Sequence, residues 1–311
     1  MAMPNLFIPG AAKSGTSSLH EYLSQHPQVY MSKIKEPHFF ARPEFPKGLD
    51  EYKELFAPGS MLAYRGESST SYMVYPDVIG RILAYVENPK FIFILRNPVD
   101  RAISHYWWLK GMGYESRSLY EAIVFDKQNH VDPVKDLVGN FSRHYYYHMG
   151  CYAKWLRPFW EVFGKNAVHI TTLEKLHDNP LDAVNAIFSF LGIAEMDRVG
   201  PVEVNKTAIL RYPGLYSFLA HLGWGDSIGR FIKSFLPVRA YQTVSGARRK
   251  FLDWLKIKFA NESYSEADES TRSWLIKMYI EQVRDLRQMT GMGFSEWRQD
   301  FPVHGETGQL A

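Results

Sequence analysis

The sequence predicts an α/β fold with a central, mostly parallel sheet flanked by helices and a helical C-terminal part. Apolar runs of strand length alternate with helical patterns over the first two thirds of the chain. The run Phe91 to Leu95, FIFIL, is apolar at every position, as expected of a central parallel strand buried on both faces. After about residue 210 the strand signal disappears. A sheet of this kind binds ligands beyond the carboxyl ends of its strands.

In chain order, Leu6 to Pro9 is the first strand, and Thr16 to Gln25 is a helix whose Leu19 and Leu23 are four apart. Ala63 to Gly66 is a short strand, Pro76 to Tyr85 a helix, and Phe91 to Leu95 the central strand, introduced by Pro89. Pro98 opens a helix running through Trp108, Tyr145 to Phe163 reads as one long aromatic helix, Val168 to Thr171 as a strand, and Leu181 to Leu191 as a helix. Glu266 to Met289 is the longest helix, followed by GMGFSEW (Gly291 to Trp297) as a C-terminal lock. No repeat or composition break divides the chain, so residues 1–311 are expected to form one domain, with a helical, basic C-terminal portion from about residue 210.

At 311 residues, 46% hydrophobic and 22% charged, the chain can bury a large core. A net charge of +3 gives no reason to expect nucleic acid as a partner. Between Arg230 and Lys258, however, eight Lys/Arg face one acid, Asp253; a solvated helix face explains this, and a peripheral contact with an anionic membrane or acceptor would also suit it. The single cysteine, Cys151, excludes an intrachain disulfide framework and is expected to be buried and inert. There is no signal-type leader and no apolar stretch of the roughly 18 residues a membrane span needs, so a cytoplasmic location is the expectation.

Residues 5 to 19, NLFIPGAAKSGTSSL, place a Gly, Lys and Ser/Thr loop between a strand and a helix. Such a turn leaves backbone N–H groups aimed at one point, and the helix dipole adds positive charge there. Lys13 adds a full charge, and Thr16, Ser17 and Ser18 add hydroxyl donors. The order differs from the nucleoside triphosphate loop G-x-x-x-x-G-K-[ST], because Lys13 precedes the second glycine, Gly15. A second oxyanion site is expected at residues 91–108, FIFILRNPVDRAISHYWW. Arg96 emerges at the sheet's ligand edge, and Ser104 follows about two helical turns on. Arg101 competes for that role, with an ion pair to Asp100 or a neighbour as its structural alternative.

KSGTSSL followed about eighty residues later by LRNPVDRAISHY resembles the 5′-phosphosulfate loop and 3′-phosphate motif of sulfotransferases that use 3′-phosphoadenosine 5′-phosphosulfate (PAPS). The resemblance extends through KEPHFF, GESSTSY, the GCY segment, VNKT and the closing FSEW, and leans toward the heparan sulfate and bacterial branch. It implies a P-loop-like three-layer fold and PAPS as cofactor, with PAP as product and no metal required. Lys13, Ser14, Gly15, Thr16, Ser17 and Ser18 would hold the 5′-phosphate and sulfonate, Arg96 and Ser104 the 3′-phosphate, and Lys206 and Thr207 a loop closing over the cofactor. Sulfuryl transfer passes through a loose, in-line transition state, so positioning and charge stabilisation dominate, and Lys13 can neutralise the leaving oxygen.

The acceptor hydroxyl also needs a base, and Glu36 and His38 of KEPHFF are the candidates. In an extended segment, favoured for Glu36 by the following Pro37, both point to one face. The resembled glycan enzymes have a Glu at the position of Glu36, which therefore takes the base role, with His38 as alternative base or orienting group. Glu67 of GESSTSY is placed by the resemblance as an orienting acid at the acceptor pocket, while Ser68 stands where the glycan enzymes often have Lys. Tyr152 is the best aromatic candidate for that pocket. His144 and His148 have zinc-ligand spacing without a third ligand nearby, so no metal is assigned.

The expected reaction is sulfation of a sugar, glycolipid or small-molecule hydroxyl; the β-hydroxyl of an acyl chain or secondary metabolite is an alternative served by the same chemistry. A small-molecule P-loop kinase or a non-catalytic nucleotide- or anion-binding protein are the readings from other classes, and the absent G-K-[ST] order argues against the kinase.

Overall fold

The structure, a computed structural model, describes residues 3–129, 144–202 and 267–302 in full, and the backbone alone of four two-residue strands outside those ranges. The strands are β1 (Leu6–Gly10), β2 (Val29–Met31), β3 (Tyr64–Ser68), β4 (Lys90–Leu95), β5 (Leu137–Val138), β6 (Phe141–Ser142), β7 (Val168–Thr172), β8 (Ile209–Leu210) and β9 (Ala260–Asn261). The helices are α1 (Thr16–Leu23), α2 (Leu49–Glu54), α3 (Asp77–Tyr85), α4 (Pro98–Gly111), α5 (Leu119–Asn129), α6 (Tyr146–Met149), α7 (Tyr152–Phe163), α8 (Leu173–Asp178), α9 (Pro180–Leu191) and α10 (Glu269–Thr290).

Five strands pair in parallel in the order β2-β3-β1-β4-β7. The alternation of side chains along β1 and β4 builds a core on each face. Leu6, Ile8, Ile92 and Ile94 pack with Leu19 and Leu23 of α1 and Ile187 and Phe188 of α9. Phe7, Phe91, Phe93 and Leu95 face the other way, into an aromatic layer containing Phe40, Tyr72 and Phe159. There Phe7 stacks on Phe91 at 5.6 Å, and Phe159 meets Phe91 and Phe93 edge-on at 5.1 and 5.0 Å. Burial on both faces is what the unbroken FIFIL run requires. The carboxyl ends of β1 and β4 are neighbours, so the loop after β1 and Arg96 after β4 open side by side.

Some expectations change. The aromatic stretch expected as one helix is two, α6 and α7, interrupted at Gly150 and Cys151. Tyr279 of α10 packs at the interruption: its hydroxyl proton is shared between the carbonyls of Tyr146 and Tyr147 at 3.2 and 3.0 Å, and a Cβ on Gly150 would lie 2.8 Å from its ring. Strand β2 and helix α5 have no strong sequence signal, the first being three residues long and the second mixing Ile123 with Glu121 and Asp126. No strand is expected past residue 210, yet among the described residues β9 lies beyond it and pairs with β8 in an antiparallel ribbon.

The C-terminal lock packs as its sequence suggests. Gly291 ends α10 at φ +72°, Phe294 and Trp297 stack at 4.5 Å, and Trp297 is buried against Tyr152 at 6.2 Å. None of the described helices is long and apolar enough to cross a membrane.

Candidate active site

A cavity of about 910 Å³ opens where β1 and β4 end. Its floor is the 10–15 loop, which is tied to the sheet by Ala11 N–H donating to the Ile94 carbonyl at 2.8 Å. Gly15 precedes α1 at φ +87°, no side chain caps that helix, and its first turn holds no acid. The opening N–H groups of α1 thus keep their capacity to bind an anion, and Gly15, Thr16, Ser17 and Ser18 line the cavity. Gly15 is required twice over, by its positive φ and because a Cβ there would meet Leu173 Cδ1 at 2.6 Å. Ser14, expected among the binding residues, is fully buried beneath the loop and off the cavity wall.

Lys13 stands on that wall at φ +69°, its ammonium 5.3 Å from the Trp108 ring centroid. Burial, then the neighbouring Arg96 and Lys35 charges, bring its pKa down to about 8. This concentration of positive charge is poorly solvated, which is the condition under which an anion binds strongly.

Arg96 and Ser104 line the same cavity, one at the end of β4 and the other within α4. Arg96 Nη1 lies 3.4 Å from the Lys13 carbonyl oxygen, linking the two expected anion sites. The turn between them is held by Asn97: its side-chain oxygen accepts from Val99 N–H at 3.0 Å, and its own N–H donates to Glu174 Oε1 at 2.9 Å. Arg101 is fully buried instead, donating to the Tyr146 carbonyl and lying 3.4 Å from His105 Nδ1, while Asp100 pairs with Arg272. Burial, and then Arg101, hold the cavity-lining His105 well below the usual imidazole range, so it is neutral.

Glu36 also lines the cavity. Its segment is not extended as expected, since Glu36 and His38 take φ values of +59° and +51°. The two side chains nevertheless meet. Glu36 Oε2 is 3.1 Å from His38 Nε2 and accepts from Thr70 Oγ1 at 3.0 Å, while Oε1 accepts from Lys35 at 3.1 Å. Burial pushes the Glu36 carboxyl up, but the His38 hydrogen bond and the Lys35 charge outweigh it and hold the group below its ordinary value. His38 is 3% exposed and off the cavity wall, with Nδ1 2.6 Å from Ser71 Oγ. Of the pair, the carboxylate faces the cavity and the imidazole backs it.

Glu67 and Tyr152, expected at the acceptor pocket, do not line the cavity. Glu67 is fully buried; Oε1 accepts from Tyr52 and Tyr72 at 2.5 and 2.7 Å, and Oε2 from Ser69 at 2.5 Å. Burial raises its pKa against those hydrogen bonds. Because Ser69 Oγ also accepts from His38 N–H at 3.0 Å, Glu67 braces the segment carrying Glu36 from behind. Tyr152 donates to the Arg96 carbonyl at 2.7 Å, supporting Arg96 from the aromatic layer. Lys206, Thr207 and the basic stretch 230–258 lie outside the described residues.

Sequence reasoning missed Lys35, Thr70, Ser71 and Trp108 as cavity residues. Lys35 had a signal in its place beside Glu36, and Thr70 and Ser71 belong to the GESSTSY motif, but only folding brings that motif to Glu36. His144 and His148 are engaged separately, His144 Nε2 lying 3.5 Å from Glu115 Oε2 and His148 N–H donating to Asp126. Among the described residues no group of three His, Cys, Asp or Glu could hold a metal.

An uncapped helix N-terminus with a buried lysine, and an Arg and a Ser lining the same cavity, gather positive charge and hydroxyl donors at the carboxyl edge of a parallel sheet. The sulfotransferase domain family matches residues 3–201, and the chain belongs to that family. It is 30% identical over 191 residues to mouse heparan sulfate glucosamine 3-O-sulfotransferase 3B1, covering 61% of this chain and 46% of that protein. It is 27% identical over 220 residues to human bifunctional heparan sulfate N-deacetylase/N-sulfotransferase 2, covering 68% of this chain and 23% of that protein. The matches thus span about half or less of these curated relatives. A solved sulfotransferase from Alicyclobacillus acidocaldarius shares the fold at a TM-score of 0.56 and 32% identity, over 71% of this chain and 92% of that one.

Proposed function

We propose that this chain transfers a sulfuryl group from PAPS to a hydroxyl of a carbohydrate, glycolipid or small-molecule acceptor. The observation that carries the reading is the placement of Lys13, the open N-terminus of α1, Arg96, Ser104 and Glu36 around one cavity. The donor set suits the cofactor: N–H groups, hydroxyls and Lys13 at one end for a phosphosulfate, Arg96 with Ser104 at the other for a separate phosphate. PAPS, when bound, supplies the sulfuryl group.

The chain's own residues do the rest. Gly15 to Ser18 orient the anionic end, and Lys13 lends positive charge where the leaving oxygen gains negative charge. Glu36, ionised and facing the cavity, takes the proton from the acceptor hydroxyl, while His38, Thr70 and Lys35 hold its carboxylate in one orientation. Lys206 and Thr207 are assigned to the cofactor loop by sequence resemblance. A carbohydrate hydroxyl is favoured because the relatives named above are heparan sulfate enzymes.

The test is transfer of label from [35S]PAPS to acceptors in a panel of glycans, glycolipids and hydroxylated metabolites, with and without chelator. Transfer that persists in chelator and is lost in Glu36→Gln supports the assignment. Tight nucleotide binding without transfer to any acceptor rejects it in favour of a silent binding protein.

A further inference from the structure

Arg272 lies near the start of α10, beyond the region matched by the family, yet reaches the Arg96 end of the cavity. Its Nη1 donates to Asp100 Oδ1 at 2.6 Å and its Nη2 to Asp300 Oδ2 at 2.5 Å. Asp300 Oδ2 also accepts from Asn97 Nδ2 at 2.8 Å, and Asn97 caps α4 directly after Arg96. Asp100 sits in the first turn of α4, where an acid favours the helix, but it also lines the cavity shared by Arg96 and Ser104. An uncompensated carboxylate there would repel the anion that Arg96 and Ser104 are placed to hold.

We propose that Arg272 is a positioning residue for the 3′-phosphate of the nucleotide: shared between Asp100 and Asp300, it offsets part of the Asp100 charge and, through Asp300 and Asn97, holds the turn that aims Arg96. The inference rests on the nucleotide reading above and adds a residue that neither the motifs nor the family match contains. A side chain that only stabilised the fold would affect every ligand alike, whereas one that offsets Asp100 affects the ligand carrying the second anion.

The experiment is calorimetric titration of the full chain with adenosine 3′,5′-bisphosphate and with adenosine 5′-monophosphate. Wild type is expected to prefer the bisphosphate. In Arg272→Met the bisphosphate is expected to lose roughly tenfold in affinity while the monophosphate changes less than about twofold. Adding Asp100→Asn to that variant should restore most of the loss, and Asp100→Asn alone, should Arg272→Met fail to fold, should leave bisphosphate affinity equal or higher. Equal losses for both nucleotides, no loss, no restoration, or a tenfold fall in Asp100→Asn each overturn the inference while leaving the nucleotide reading intact. A wild type without preference for the bisphosphate overturns the nucleotide reading and this inference together.

Discussion

At the residue scale, two ionisable groups set the expected pH behaviour. Lys13, at about 8, is charged below that pH and loses its charge above it. The value of kcat/KM for PAPS, which reports the free enzyme, should therefore fall as pH rises past about 8, and a Lys13→Met variant should be slow throughout and lack that alkaline limb. Glu36 is held below the ordinary carboxylate value, so its base form persists through neutrality and is lost only as pH falls through its depressed pKa. The His38 hydrogen bond is the largest of the influences lowering it. Replacing His38 by Leu should thus move the acid limb of the kcat–pH profile upward, whereas Glu36→Gln should lower kcat about 10²- to 10⁴-fold without a limb to move. An unmoved acid limb in His38→Leu would show that His38 does not tune the base.

At the element scale, the junction of the 10–15 loop with α1 is the sensitive point. Gly15→Ala puts an alanine at φ +87° and a methyl 2.6 Å from Leu173 Cδ1. A left-handed non-glycine residue costs about 1–2 kcal/mol, so urea unfolding should register a loss of that order. The same change displaces the first N–H groups of α1, so nucleotide affinity, measured calorimetrically, should fall by more than the stability loss would suggest. The two-part α6–α7 arrangement belongs to this scale as well. Tyr145 to Phe163 reads as continuous helix because nothing within the segment shows that Tyr279 will take the Tyr146 and Tyr147 carbonyls.

At the scale of the whole molecule, the described C-terminal segment supports the site from beyond the matched residues 3–201, and its Glu296 lines the cavity. Trp297 is 1% exposed and rests against Phe294 and Tyr152, and Tyr152 in turn supports the Arg96 carbonyl. Trp297→Ala should cost about 3–5 kcal/mol and lower Tm by several degrees, read by calorimetry. Because Trp297 backs the Tyr152 that supports the Arg96 carbonyl, bisphosphate affinity should fall in the same variant below its new Tm. Unchanged affinity would make the lock purely a stability element.

Local sequence was enough for four of the five sheet strands, β2 excepted, and for the order of strand, loop and helix at the 10–15 loop and after β4. FIFIL needs two buried faces, the Gly, Lys and Ser/Thr run after an apolar strand makes an N–H-rich turn, and Arg96 after β4 must emerge at the ligand edge. These are properties of neighbouring residues and of strand and helix periodicity, so they can be read without the fold. What only the tertiary structure decided joins residues far apart in sequence. Glu36 faces the cavity while His38 backs it, Glu67 and Tyr152 are supports behind the wall, and Arg272 sits 172 positions from the Asp100 it pairs with. Burial, hydrogen-bond partners and charge compensation at those positions depend on which distant side chains arrive, and no local pattern encodes that.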